Sequence, residues 1–78
     1  MTNLDKYLKV FTETFGIKEA DTVGLEYQRI QEWDSIGHMT LIAALEDEFK
    51  IMMDTDDIID FSSFEKGKEI LKKYDVAI

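Results

Sequence analysis

The chain has 78 residues, too few for two ordinary domains, so we expect one domain over residues 1–78. Hydrophobic residues make up 45% and charged residues 33%, a balance typical of globular rather than disordered proteins. The chain has no cysteine and one histidine, which excludes disulfides, a thiolate nucleophile and a multi-histidine metal site.

The net charge of −8 excludes nucleic acid as a partner and disfavours anionic membrane surfaces. No apolar run approaches membrane-spanning length, and the residues after Met1 lack a signal-peptide pattern, so we expect a cytoplasmic protein. Between Ile30 and Glu65 the chain carries ten acidic residues and one basic residue, Lys50. This segment is either a solvated surface or a surface that attracts basic protein partners.

The first segment repeats apolar residues on one helical face, at Leu4, Leu8, Phe11 and Phe15. Asn3 is the expected N-cap and Gly16 the expected C-terminal residue, which predicts a helix over residues 3–15. The segment from Ile17 to Trp33 lacks a helical period and predicts a long loop. Its apolar residues are the candidates to hold it against the core: Ile17, Val23, Leu25, Tyr27, Ile30 and Trp33.

Three further helices are predicted. The second starts at Asp34–Ser35, where either side chain can cap, and ends near Lys50. A short acidic helix follows Asp54–Thr55, and the last runs from the Ser62–Ser63 cap to about Tyr74. The residues expected to point inward are Phe11, Phe15, Ile42, Leu45, Phe49, Leu71 and Tyr74, with Ile58, Ile59 and Phe61 from the short helix. The predicted fold is all-α, a small bundle of three long helices and one short helix.

Two catalytic or metal-binding interpretations fail on local chemistry. Asp34, Ser35 and His38 do not form a hydrolase triad, because no strand or first glycine precedes the serine. A calcium loop starting at Asp54 would place Ile58 and Ile59 where an oxygen ligand and a glycine are required. We therefore expect neither an enzyme nor a metal site.

Two roles are possible for Ser35. A serine in front of an apolar-periodic helix commonly acts as an N-cap. Alternatively, its hydroxyl is exposed beside free backbone N–H groups at the positive end of the helix dipole, a favourable place for a phosphate. Periodicity alone does not choose between them.

The segment from Asp34 to Phe49 resembles the Asp-Ser-Leu motif and second helix of acyl carrier proteins. In that family an apolar residue follows the prosthetic-group serine, and the helix ends in Leu-Glu-Glu-Glu-Phe, where this chain has Leu-Glu-Asp-Glu-Phe. The helical layout, the long first loop and the acidity also match, so the resemblance covers essentially the whole chain.

The resemblance implies that Ser35 carries 4′-phosphopantetheine, derived from coenzyme A, whose thiol replaces the cysteine that the chain lacks. Asp34 matches the aspartate that the phosphopantetheinyl transferase recognises, and Gly37 completes the motif. Ile36 matches the apolar docking residue. The implied function is a free-standing, monomeric carrier of acyl thioesters for fatty acid, polyketide or related biosynthesis.

The resemblance also implies a surface for enzymes with basic docking sites, formed by Ile36, Met39, Glu46, Asp47, Glu48, Asp56 and Asp57. A solvated helix face is the alternative for the acidic residues. Trp33 departs from the family pattern, and we expect it to anchor the loop rather than to contact a ligand. His38 is expected at the surface, within reach of the phosphate.

Two other functions stay open. The first is an aminoacyl or peptidyl carrier, such as a D-alanyl carrier or a peptide-synthetase domain. The second is a helical interaction module in which Ser35 only caps a helix. Cargo distinguishes the carriers, because an aliphatic chain can enter the space between the second helix and the short helix, whereas an aminoacyl group has no such tail.

Overall fold

The computed structural model describes residues 1–78. It has four α-helices: α1 (Asn3–Phe15), α2 (Ser35–Phe49), α3 (Thr55–Asp60) and α4 (Phe64–Lys72). A 3₁₀ turn at Glu19–Thr22 lies in the long first loop, and the chain forms no strands. The predicted all-helical class is confirmed, as is the short third helix. None of the helices combines the length and apolarity needed to cross a bilayer.

The N-terminus of α1 differs by one residue from the prediction. Thr2, not Asn3, is the N-cap: its Oγ1 accepts the Asp5 N–H at 3.1 Å, and the Asp5 carboxylate accepts the Thr2 N–H at 3.2 Å. The Asn3 side chain instead donates to the Ala77 carbonyl at 3.0 Å, which ties the two ends of the chain together. Gly16 ends α1 as predicted, with a φ of 65° that a residue without Cβ adopts most easily.

Backbone hydrogen bonds attach the long loop to the start of α4. The Tyr27 N–H donates to the Ser62 carbonyl at 2.9 Å, and the Phe64 N–H donates to the Leu25 carbonyl at 2.9 Å. This pair forms an isolated antiparallel bridge centred on Glu26 and Ser63. The loop is therefore fixed although it has little regular structure.

The side chains that hold the loop are mostly those predicted. Leu25 and Trp33 are buried, and Ile17, Tyr27 and Ile30 pack partly against the core. The prediction for Val23 was wrong, because this side chain is 84% exposed. Thr22 turns inward in its place, and its Oγ1 donates to the Glu19 carbonyl at 2.6 Å within the 3₁₀ turn.

The core is dominated by aromatic rings. The Phe11 ring lies with centroid distances of 4.9–6.3 Å from its aromatic neighbours, which are Tyr7, Phe15, Trp33, Phe61 and Phe64. The predicted core residues Phe15, Ile42, Leu45, Phe61 and Leu71 are also buried. Large rings allow a short chain to bury apolar area with few residues.

Four residues predicted to point inward do so only in part or not at all. Phe49, Ile58 and Tyr74 are half-buried. Ile59 is 71% exposed, since a six-residue helix that lies on the bundle has room for few inward side chains. Helix α4 ends at Lys72, so Tyr74 lies beyond it and serves a polar role instead.

Helix α3 is held to the end of α4 by a buried carboxylate. Asp57 is 7% exposed and accepts hydrogen bonds from the Tyr74 hydroxyl at 2.5 Å and from Lys73 Nζ at 2.9 Å. The same Tyr74 oxygen accepts the Asp54 N–H at 2.9 Å. These contacts lower the pKa of the Asp57 carboxyl group, the Tyr74 hydrogen bond first and Lys73 second.

We expect acid to weaken this anchor. A carboxyl group whose pKa is lowered by folding stabilises the protein above its unfolded pKa of about 3.9, and this contribution is lost as pH falls through the folded pKa. Thermal melts should therefore show that Asp57→Asn has a lower melting temperature than wild type at neutral pH. The gap should narrow in acid. Asp56→Asn, at the exposed neighbouring position, is the control. A gap that does not change with pH would contradict this role.

Candidate functional site

Asp34, rather than Ser35, caps α2. Its Oδ1 accepts the Gly37 N–H at 2.8 Å, whereas Ser35 is the first helical residue. The Ser35 side chain is exposed, and its hydroxyl forms no hydrogen bond within the chain. The N–H groups of Ser35 and Ile36 also have no partner in the chain. The capping interpretation of Ser35 was therefore wrong, and its hydroxyl is free for other chemistry.

Gly37 allows the loop before Ser35 to lie against α2. A Cβ atom at this position would collide with the Glu32 carbonyl oxygen. The collision is with backbone, which cannot rotate away as a flexible side chain can. The glycine therefore allows the turn at Glu32 to pack against α2, and this turn leads directly into Ser35.

A cavity of about 360 Å³ lies between α2 and α3, at the lower end of the ~300–1,000 Å³ typical of small-molecule sites. Ser35 is among its lining residues, so the cavity reaches the free hydroxyl. Its walls are mainly apolar, and the complete lining is Tyr27, Ser35, His38, Met39, Ile58, Ile59, Phe61 and Ser62. The site thus combines an exposed hydroxyl with an adjoining apolar space.

His38 bridges the loop, α2 and α3. Its Nδ1 lies 2.9 Å from Trp33 Nε1, and its Nε2 lies 2.8 Å from the Ile58 carbonyl oxygen. Because an indole nitrogen only donates, Nδ1 must accept, and Nε2–H must donate to the carbonyl. The ring is therefore neutral in this arrangement, and both of its nitrogens are used. His38 is half-buried, not the simple surface residue that was expected.

Apolar side chains surround Ser35 on the outer surface. Ile36 is 77% exposed and Met39 is 54% exposed, and their spacing of three residues places them on one face of α2. Ile59 of α3 is also exposed and lines the same cavity as Met39. Exposed apolar residues that cluster in this way are typical of an interaction surface.

The acidic residues proposed for docking differ in their availability. Asp47 and Asp56 are exposed, and Glu48 is half-buried. The Glu46 carboxylate accepts the Met53 N–H at 2.9 Å and so closes the turn after α2. Asp57 was predicted to face partners, but it is buried against Lys73 and Tyr74, and this prediction is corrected.

The sequence analysis missed the contact between His38 and Ile58 and the cavity residues Tyr27 and Ser62. One signal was present: Trp33 was predicted to be buried, and a buried indole N–H needs an acceptor. His38, five residues further on, is a nearby candidate for that acceptor. Tyr27 and Ser62 reach the cavity through the loop bridge, for which the sequence carries no periodic pattern.

Comparisons of the chain with protein-family models, with curated proteins and with solved structures found no match.

We expect Gly37→Ala to destabilise the protein by about 1–3 kcal/mol, because the collision with the Glu32 carbonyl outweighs the better helix propensity of alanine. Chemical denaturation measures the free energy of unfolding. Thr40→Ala, at an exposed position of the same helix, should not lower it, because the variant loses only a hydroxyl bond to the Ile36 carbonyl of its own helix and gains helix propensity. An equal or higher stability of Gly37→Ala would show that the loop does not need this close approach.

Proposed function

We propose that this chain is an acyl carrier protein, in which Ser35 is the attachment site for 4′-phosphopantetheine. One observation carries the proposal: the free, exposed hydroxyl of Ser35 lies at the start of a 15-residue helix and borders an apolar cavity. The resemblance of residues 34–49 to the motif and second helix of acyl carrier proteins supports the same assignment.

The start of α2 suits a phosphodiester. Because the Ser35 and Ile36 N–H groups have no partner, they can donate to phosphate oxygens, and the helix dipole favours negative charge there. The Ser35 oxygen would lose its proton and bond to the phosphorus that carries the pantetheine, while the diphosphate bond of coenzyme A breaks and adenosine 3′,5′-bisphosphate leaves. No cap is broken by this change, since Asp34 holds the helix end. The residues present therefore fit the group.

The cavity suits an aliphatic cargo. When bound, the arm supplies the thiol on which an acyl group is held as a thioester. The mainly apolar walls would bury the tail of that acyl group, and each buried methylene stabilises by about 0.8 kcal/mol. An aminoacyl cargo has no tail to bury, so the cavity favours the acyl carrier over the aminoacyl carrier. In this proposal the chain catalyses no reaction and presents its cargo to enzymes.

We expect a broad-specificity phosphopantetheinyl transferase and coenzyme A to add one arm to the wild-type chain. Intact mass measures the addition, and peptide mapping should place it on Ser35. Ser35→Ala should gain nothing, whereas Ser62→Ala and Ser63→Ala should be modified like wild type. An unmodified wild-type chain would favour a helical interaction module without a prosthetic group, and an arm on Ser62 or Ser63 would remove the basis of the proposal.

The surface around Ser35 suits docking to enzymes with basic sites. Ile36 and Met39 supply exposed apolar contact area, and Asp47 and Asp56 supply exposed negative charge. Apolar contacts contribute affinity, while unlike charges speed the encounter and set its orientation. The surface of α2 and α3 thus carries both components of a transient interface.

We expect Asp47→Lys to slow arm transfer several-fold, because it places a positive charge on the docking face. Glu13→Lys is the matched control: it changes the net charge equally, but on the exposed side of α1. Initial rates over a range of salt concentrations measure the effect. Asp47→Lys should also weaken the salt dependence, and equal rates for both variants would show that Asp47 is only a solvated charge.

A further inference from the structure

The cavity beside Ser35 is bordered by only one fully buried residue, Phe61. Leu41, Ile42 and Leu45 continue α2 inward and are fully or almost fully buried, yet none of them lines the cavity. His38 is the innermost residue of α2 that does. The boundary between the cavity and the buried core therefore lies at His38.

The separating wall consists of the His38 and Phe61 rings. Their centroids are 6.1 Å apart, and Phe61 is fully buried. The His38 ring is nearly parallel to the Trp33 ring behind it, at 15° and 6.2 Å between centroids. Trp33 itself is fully buried and packs on Phe15. The Trp33 and Phe15 rings therefore limit how far the His38 ring can move toward the core.

Hydrogen bonds fix this wall on both sides. Trp33 donates to His38 Nδ1, and His38 Nε2 donates to the Ile58 carbonyl, so the imidazole spans the gap from α2 to α3. A chain that passed this point would have to separate these groups. The buried indole N–H and the Ile58 carbonyl would then lose their partners, and the indole N–H lies where water does not replace the lost bond, which is unfavourable.

We infer that His38 is a specificity-determining residue, a crossbar that limits the length of acyl chain the cavity can hold. The inference rests on the proposed function and adds a preference for short and medium acyl chains. Carbons up to the crossbar are buried, and carbons beyond it stay in solvent. Stabilisation by the cargo should then increase with chain length and level off once the cavity is full.

The test uses the wild-type chain and His38→Ala, each carrying straight-chain acyl groups from acetyl to palmitoyl on the arm. Thermal melts give the rise in melting temperature over the same protein with an unloaded arm, so differences in basal stability cancel. In wild type each added methylene should raise the melting temperature by a few degrees until a plateau. In His38→Ala the rise should continue to longer chains.

Two further variants separate the loss of the crossbar from general loosening. Val10→Ala removes a buried side chain of α1 that does not line the cavity, so it loosens the bundle but leaves both hydrogen bonds of His38 in place, and its plateau should stay at the wild-type length. His38→Gln carries an amide acceptor and donor that can replace both ring nitrogens, so it should also keep the wild-type plateau. A plateau shifted equally in all three variants would overturn the inference.

A second measurement needs only the wild-type chain. Trp33 is the one tryptophan, so its indole N–H gives a single nuclear magnetic resonance signal. Its hydrogen exchange should be no faster with long acyl groups than with short ones, because no chain passes His38. Faster exchange with long chains, or a melting temperature that rises through palmitoyl in wild type, would overturn the inference.

The outcomes distinguish the two proposals. If intact mass shows no arm on Ser35, the proposed function fails and the inference fails with it. If the arm and its acyl groups are present but wild type and His38→Ala level off at the same length, only the inference fails. A melting temperature that is flat for all chains in both proteins would overturn the buried tail and the crossbar, while leaving Ser35 as the attachment site.

Discussion

The hydrogen bond from the Trp33 indole to His38 joins the parts of the molecule on which the site depends. Trp33 ends the long loop, and its buried ring packs on Phe11 and Phe15 of α1. His38 belongs to α2, and its Nε2–H donates to the Ile58 carbonyl of α3. Without an acceptor the buried indole N–H would cost about 1–3 kcal/mol. The two hydrogen bonds of His38 therefore link the loop to α2 and α3, and the packed Trp33 ring links them to α1.

The tasks at the start of α2 are divided among neighbouring residues. Asp34 caps the helix, and Gly37 permits the close approach of Glu32. Ser35 has neither task, although it lies between them. A serine that capped the helix would lose its hydrogen bond on modification and destabilise the end it serves. Here a group can be attached to the hydroxyl while the fold of its surroundings is unchanged.

The sequence predicted what is local and missed what joins distant residues. Apolar spacing and caps are local, so the bounds of α1 and α2 and the role of Gly16 were predicted nearly correctly. Local spacing does not indicate whether Val23 and Ile59 face the core or the solvent, because neither segment is long enough to show a period. Asp57 pairs with residues 16 and 17 positions away, and His38 with one 20 away, which no local pattern indicates.

Helix α3 shows how a cavity wall can be positioned without filling the cavity. If packed side chains held α3 against α2, close packing would occupy the space between them. Instead, directional polar contacts hold adjacent residues of α3 from two sides: His38 at the Ile58 carbonyl, and Tyr74 and Lys73 at the Asp57 carboxylate. Ile58 packs partly against the core, whereas Ile59 is exposed. Both isoleucines also line the open space that reaches Ser35.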